Sequence, residues 1–299
     1  MPTWEVVWTS WTFNVPAFAL LVVAAVLYVR GLHQARLLGV VWPWRRTATF
    51  FVLGLGSFAA LSFGFTGVYS HDLRWVFTLK VTSYLFIVPL LVAAGKPLTL
   101  ARSTLGTEGA ARLQAFLDHR AVRALSNTLV AALLGLGLFS LFLTPLFYPM
   151  RTDPLWDMLL TILVPLVGML MAVPIIEEGA TKAVNSLIIV EFIYVFMELL
   201  ADAVPGILMR LSPRVLDGAG QLAAGVPGWQ PNPLRDQQIA GDLLWFLAEI
   251  VDLPLIILMF VRFSRSDRHE ARSFDDLTDD ELDALNREHL RGSRSTTNG

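Results

Sequence analysis

Apolar runs near twenty residues long alternate with short polar connections along this chain. About 30 Å of hydrocarbon needs roughly 20 helical residues at about 1.5 Å each. Seven runs meet that length: Phe13–Val29, Ala48–Val68, Trp75–Ala94, Leu129–Phe147, Leu155–Ile176, Val184–Met209 and Leu243–Val261. The expected fold class is all-α, a polytopic membrane protein built as a seven-transmembrane-helix bundle. Residues 1–264 form the transmembrane domain, with a Gly- and Pro-rich outer loop at about 210–242. Residues 265–299 form a tail. There Thr278 and Glu281 make a capping box, Leu282, Leu285 and His289 share one face, and Gly292 follows as a stop. This pattern predicts a short amphipathic helix at about 279–291.

Basic residues set the orientation. Arg30, Arg36, Arg45, Arg46, Lys96, Arg102, Arg112, Arg120, Arg123 and Lys182 fall in connections on one side, together with the seven arginines from Arg262 onward. The other side holds Arg74, Arg151, Arg210, Arg214 and Arg235. The N-terminus is therefore expected outside and the C-terminus in the cytoplasm. Trp8, Trp11, Trp42, Trp44, Trp75, Trp156 and Trp245 lie at or near span ends, where interfacial anchors belong. Composition agrees: 55% of residues are hydrophobic and 16% charged, whereas soluble domains are nearer a quarter charged. A net charge of −2 implies no bulk attraction to nucleic acid. The absence of cysteine excludes disulfides, thiolate metal sites and thiol nucleophiles. The first residues, MPTWEVVWTSWTFNV, lack the positive region of a signal peptide.

Charge inside the spans is the candidate chemistry. Each carboxylate at a bilayer centre costs roughly 2.5–3.5 kcal/mol on insertion scales. Yet the sixth run, IVEFIYVFMELLADAV, carries Glu191, Glu198 and Asp202. Helical geometry places them on one stripe, at about 0°, 340° and 20° and about 16 Å long. Glu249 and Asp252 sit three residues apart in the seventh span. Lys80 is the cation inside the third, and Asp157 starts the fifth. Depth estimates bring most of these groups into the outer half of the bilayer. Two readings stay open: ion pairs that lock the bundle, or an outward-facing polar cavity for an ion, a ligand or a partner's segment.

Metal chemistry gains little from spacing. His71, beside Asp72, is the outer-face candidate, while His33, His119, His269 and His289 fall on the cytoplasmic side. Met150, Met158, Met197 and Met209 lie outward, but a methionine in an apolar helix is an ordinary core residue. Which metal is bound, if any, is left unknown. A Lys-Ser/Thr phosphate loop is missing, the seventh span has no lysine for a retinal linkage, and only His71 stands near the cluster for Ser/His/Asp catalysis. The expectation is a protein that is not an enzyme.

Several stretches resemble one family. LYVRGLHQARLLGVVWPWRRTATFFVLGL is similar to the first connection and second helix of the CtaG family, and PLLVAAGKPLTL to the end of its third. DPLWDMLLTILVPLVGML resembles its fifth helix, DQQIAGDLLWFLAEI the start of its last, and VRFSRSDRHEAR its cytoplasmic exit. The likeness runs to about Arg272. It implies a seven-span, multi-pass protein of the bacterial plasma membrane that assists assembly of haem–copper cytochrome c oxidases. Its implied partners are the lipid bilayer and oxidase subunits, and its implied ion is copper.

Family members carry histidines near the outer ends of the third and fifth helices. Here those places hold Val76 or Lys80, and Asp157 or Thr161. A further family histidine in the sixth span corresponds roughly to Asp202. Copper binding is therefore not carried over, and no cofactor is assigned. The expected function is assistance in oxidase assembly or stability. The alternatives are an ion-coupled transporter using the acid cluster and an accessory subunit of a respiratory complex.

Overall fold

The computed structural model describes residues 2–125, 128–173, 176–177, 203–218, 229, 232–247, 249–250 and 257. The tail from 265, most of the sixth predicted span and the inner part of the seventh lie outside these residues. Every regular element among the described residues is helical. In chain order the main helices are α1 (Val15–Leu37), α2 (Trp44–Tyr69), α3 (Arg74–Ala94), α4 (Thr128–Ser140), α5 (Pro154–Val173), α6 (residues 203–211) and α7 (residues 233–247). Of these, α1, α2, α3 and α5 are long and apolar enough to cross a membrane. Short helices cover Trp4–Thr9, Pro97–Thr104, Thr107–Leu117, Arg120–Leu125 and Phe147–Thr152.

Local chemistry explains where the helices begin and end. Asn14 caps α1, its Oδ1 accepting from the Ala17 N–H at 2.9 Å, and Pro16 pre-sets the first turn. The same helix continues beyond the predicted end at Val29 through the polar stretch to Leu37. It stops in a Schellman arrangement: Gly39 at φ +70°, Gly39 N–H to Arg36 O at 3.2 Å, and Val40 N–H to Ala35 O at 2.9 Å. Hydropathy reports bilayer thickness, whereas the cap sets the helix end.

The fourth predicted span also changes. Its helix gives way to a 3₁₀ turn at Leu141–Leu143, and a new helix opens at Phe147. Pro145 has no N–H to continue the ladder, and Thr144 Oγ1 donates to Leu141 O at 2.7 Å.

The seventh helix starts at 233, ten residues ahead of the hydropathy boundary at Leu243. Asn232 is the reason: its Oδ1 accepts from the Arg235 N–H at 2.8 Å, with Pro233 in the first turn. Together with a helix that runs to 211, this shortens the expected loop at 210–242 from both sides.

Packing centres on α3. Its most apolar stretch is 72% buried, against 11% for α1, which leaves Phe18, Val23 and Leu27 exposed. The C-terminal half of α3 lies against a π-helical stretch of α2, Thr49–Leu55, and against α5. Gly168 of α5 permits that approach, since an added Cβ would stand 2.2 Å from Leu85 O. Likewise α6 and α7 cross at Gly206 and Gly241, where a Cβ on Gly241 would lie 2.5 Å from Gly206 O. The core between α3, the end of α4 and the Phe147–Thr152 helix is aromatic. Phe142 stacks on Phe147 at 4.6 Å, and Phe77 meets Phe142 at 5.7 Å.

Candidate functional site

Three helices bring their N-terminal ends together around one largely buried ion pair. Lys80 lies about 9 Å along α3 from Arg74 and is 3% exposed. Asp157 sits in the first turn of α5, where the helix dipole favours an anion. Lys80 Nζ donates to Asp157 Oδ1 at 2.8 Å, and Asn14 Nδ2 donates to Asp157 Oδ2 at 2.8 Å. The residue that caps α1 thus also satisfies the second carboxylate oxygen. The ammonium stands 5.9 Å from the centre of the Tyr84 ring. Ser62 Oγ donates to Phe58 O at 2.6 Å, so the 2.6 Å contact between the hydroxyls of Tyr84 and Ser62 has Tyr84 donating. The chemistry available here is charge neutralisation and hydrogen bonding.

Copper fits this site poorly. A soft cuprous ion prefers thioether, thiolate or imidazole donors. Around Asp157 stand an ammonium and an amide, and both carboxylate oxygens already accept a hydrogen bond. Met150 and Met209 are buried among aromatic and aliphatic side chains, and Met158 is exposed. Among the described residues no group of three or more His, Asp or Glu side chains converges.

The other sequence candidates are placed as follows. Glu191, Glu198, Asp202 and Asp252 lie outside the described residues. Glu249 accepts from the Trp245 indole N–H one turn earlier, on the exposed side of the helix, and is not brought to Lys80. His71 is half-buried, with Nδ1 2.6 Å from Arg151 O, and Asp72 is exposed.

A second charged network escaped the sequence reading. Arg74 and Arg151, expected as loop cations, are each 3% exposed. Arg74 forks onto Asp217 through Nε at 2.9 Å and Nη2 at 2.8 Å. Arg151 Nη2 reaches the same carboxylate at 3.2 Å, and its Nη1 donates to His71 O at 3.1 Å. Asp236 caps α3, accepting from the N–H groups of Arg74 at 3.0 Å and Trp75 at 3.1 Å. Burial pushes the Arg151 guanidinium below the usual arginine range, with Arg74 adding to the effect and the two aspartates opposing it. Burial lifts the Asp236 carboxyl, against the pull of those N–H groups. The one available sequence signal was the N-cap pattern NPLRD before α7, which puts an acid inside a helix rather than a loop.

A third cluster ties the opposite ends of the helices. Glu177 caps the Pro97–Thr104 helix, accepting from Leu98 N–H at 3.0 Å and Thr99 N–H at 2.6 Å. Lys96, at φ 58°, donates through Nζ to Ile176 O. Tyr28 donates to Gly95 O at 2.9 Å. These contacts join α1, the stretch from Gly95 into the Pro97–Thr104 helix, and residues 176–177.

Curated relatives include proteins of Mycobacterium bovis and Mycobacterium tuberculosis, both described as uncharacterized and each 26% identical over 95% of this chain. The chain spans about half the length of these relatives, 45% in each case. No solved structure matches. The family described as cytochrome c oxidase caa3 assembly factor (Caa3_CtaG) matches residues 26–266, a stretch that contains Lys80, Asp157 and the whole buried arginine network. This protein belongs to the cytochrome c oxidase caa3 assembly factor family.

Proposed function

We propose that this chain is a non-enzymatic factor of the bacterial plasma membrane that assists assembly or stability of a haem–copper cytochrome c oxidase. It works as a seven-span bundle with its N-terminus outside, and contacts an oxidase subunit through its membrane helices. The residue 1–264 region carries this role, and the tail from 265 lies in the cytoplasm. The proposal parts from the family resemblance on one point: this chain does not hand on copper. The Lys80–Asp157–Asn14 arrangement carries that reading, because it fills with a neutralised ion pair the place where the resemblance puts histidines. Family membership supports the oxidase connection.

The test is a tagged chain extracted in mild detergent, alongside cells that lack it. Oxidase subunits should co-purify, and oxidase abundance should fall in the deletion strain. Purified protein should retain no copper(I) after desalting. An intact oxidase in the deletion strain, with no subunit ever recovered on the tagged chain, would sink the assembly role. Stoichiometric copper on the purified protein would sink its copper-free form.

A further inference from the structure

A groove of about 660 Å³ runs along α1 from Leu20 to Gln34, and neither Lys80 nor Asp157 is part of its wall. Among the described residues its wall is apolar over most of its length. Leu20 and Ala24 of α1, Pro89 of α3, Leu100 of the Pro97–Thr104 helix and Met169 of α5 contribute to it. Polar groups gather at one end, where Arg30 and Gln34 stand beside Thr104. The Thr104 hydroxyl is engaged, donating to Leu100 O at 2.8 Å. Arg30 and Gln34 are exposed, with their side chains aligned one turn apart on α1. On the rim, Leu27 is 62% exposed, Leu105 43% and Leu166 46%, so the groove opens on the flank that α1 and α5 turn outward.

We infer that this groove binds one anionic phospholipid, with an acyl chain along the apolar wall and the phosphate at Arg30. Three properties select that occupant. First, polarity rises along the groove in one direction only, as it does along a lipid. Second, the helical rise from Leu20 to Gln34 is about 21 Å, which matches one leaflet: about 15 Å of hydrocarbon and about 5–7 Å of headgroup zone. Third, the volume suits a single acyl chain, whereas a helix about 10–12 Å across could only lie over the mouth. An exposed guanidinium at the headgroup level favours an anionic over a zwitterionic lipid. The inference needs neither the oxidase role nor a particular orientation, because the lipid belongs to whichever leaflet meets Arg30.

The experiment reconstitutes the full chain in nanodiscs of equimolar phosphatidylglycerol and phosphatidylcholine, and reads retained lipid by native mass spectrometry after release. One phosphatidylglycerol per chain is the expected result. Arg30→Gln should lower the preference for phosphatidylglycerol about five-fold, the weight of one cation near an anionic headgroup, while a lipid is still retained. Ala24→Trp should fill the groove and remove the adduct. Leu105→Trp on the rim provides a second blocking variant should the first misfold. No adduct, an adduct that survives both tryptophans, or an unchanged preference in Arg30→Gln would overturn the inference. So would a photo-crosslinker at Leu27 that captures a partner's helix in place of lipid.

Discussion

At the scale of single residues, the two charged clusters differ in how much they leave exposed. Asp157 retains 17% of its side-chain surface, whereas Asp217 is fully enclosed by Arg74 and Arg151. Removing one member of a buried pair strands the other charge, at a cost of about 3–5 kcal/mol. Asp217→Asn should therefore lower the thermal unfolding temperature in detergent sharply. Asp72→Asn, exposed nearby, should stay within about 0.5 kcal/mol of the parent. Equal melting of the two variants would show that the buried network contributes nothing. Lys80 and Asp157 were legible in the sequence because each breaks an apolar run. Asp217 and Asp236 were not, because they sit in polar stretches where an enclosed acid looks like a solvated one.

Helix crossings in this fold depend on where a side chain is missing. An added Cβ at Gly168 would collide with Leu85 O and Pro89, whereas Gly137 on α4 meets nothing within 4 Å. Gly168→Ala should cost about 1–3 kcal/mol through overpacking of α3 against α5. Gly137→Ala should gain up to about 1 kcal/mol from helix propensity. Chemical unfolding followed by circular dichroism separates the two, and equal effects would contradict the close α3–α5 contact. Hydropathy located four helices long and apolar enough to cross a membrane and missed several helix ends. Gly39, Asn232 and Pro145 settle those ends through caps and a missing N–H, which are features of a few atoms that a twenty-residue window averages away.

For the whole molecule, the proposed orientation puts the N-terminus outside. Because the chain contains no cysteine, single cysteines report topology cleanly. Asp72→Cys should react with a membrane-impermeant maleimide on intact cells, and Glu108→Cys only after lysis. The opposite pattern would invert the bundle. The family was legible in the sequence because its stretches are spread across the spans in order. The acids of the sixth span lie outside the described residues; Lys80 pairs with Asp157, whose second carboxylate oxygen accepts from Asn14.

A double-mutant cycle on Lys80→Met and Asp157→Leu, followed by unfolding in detergent, tests that pairing most directly. Each single change should destabilise strongly, and the double variant should recover much of the loss, giving a coupling of about 1–3 kcal/mol. Additive losses, with a coupling below about 0.5 kcal/mol, would contradict a site held together by opposite charge.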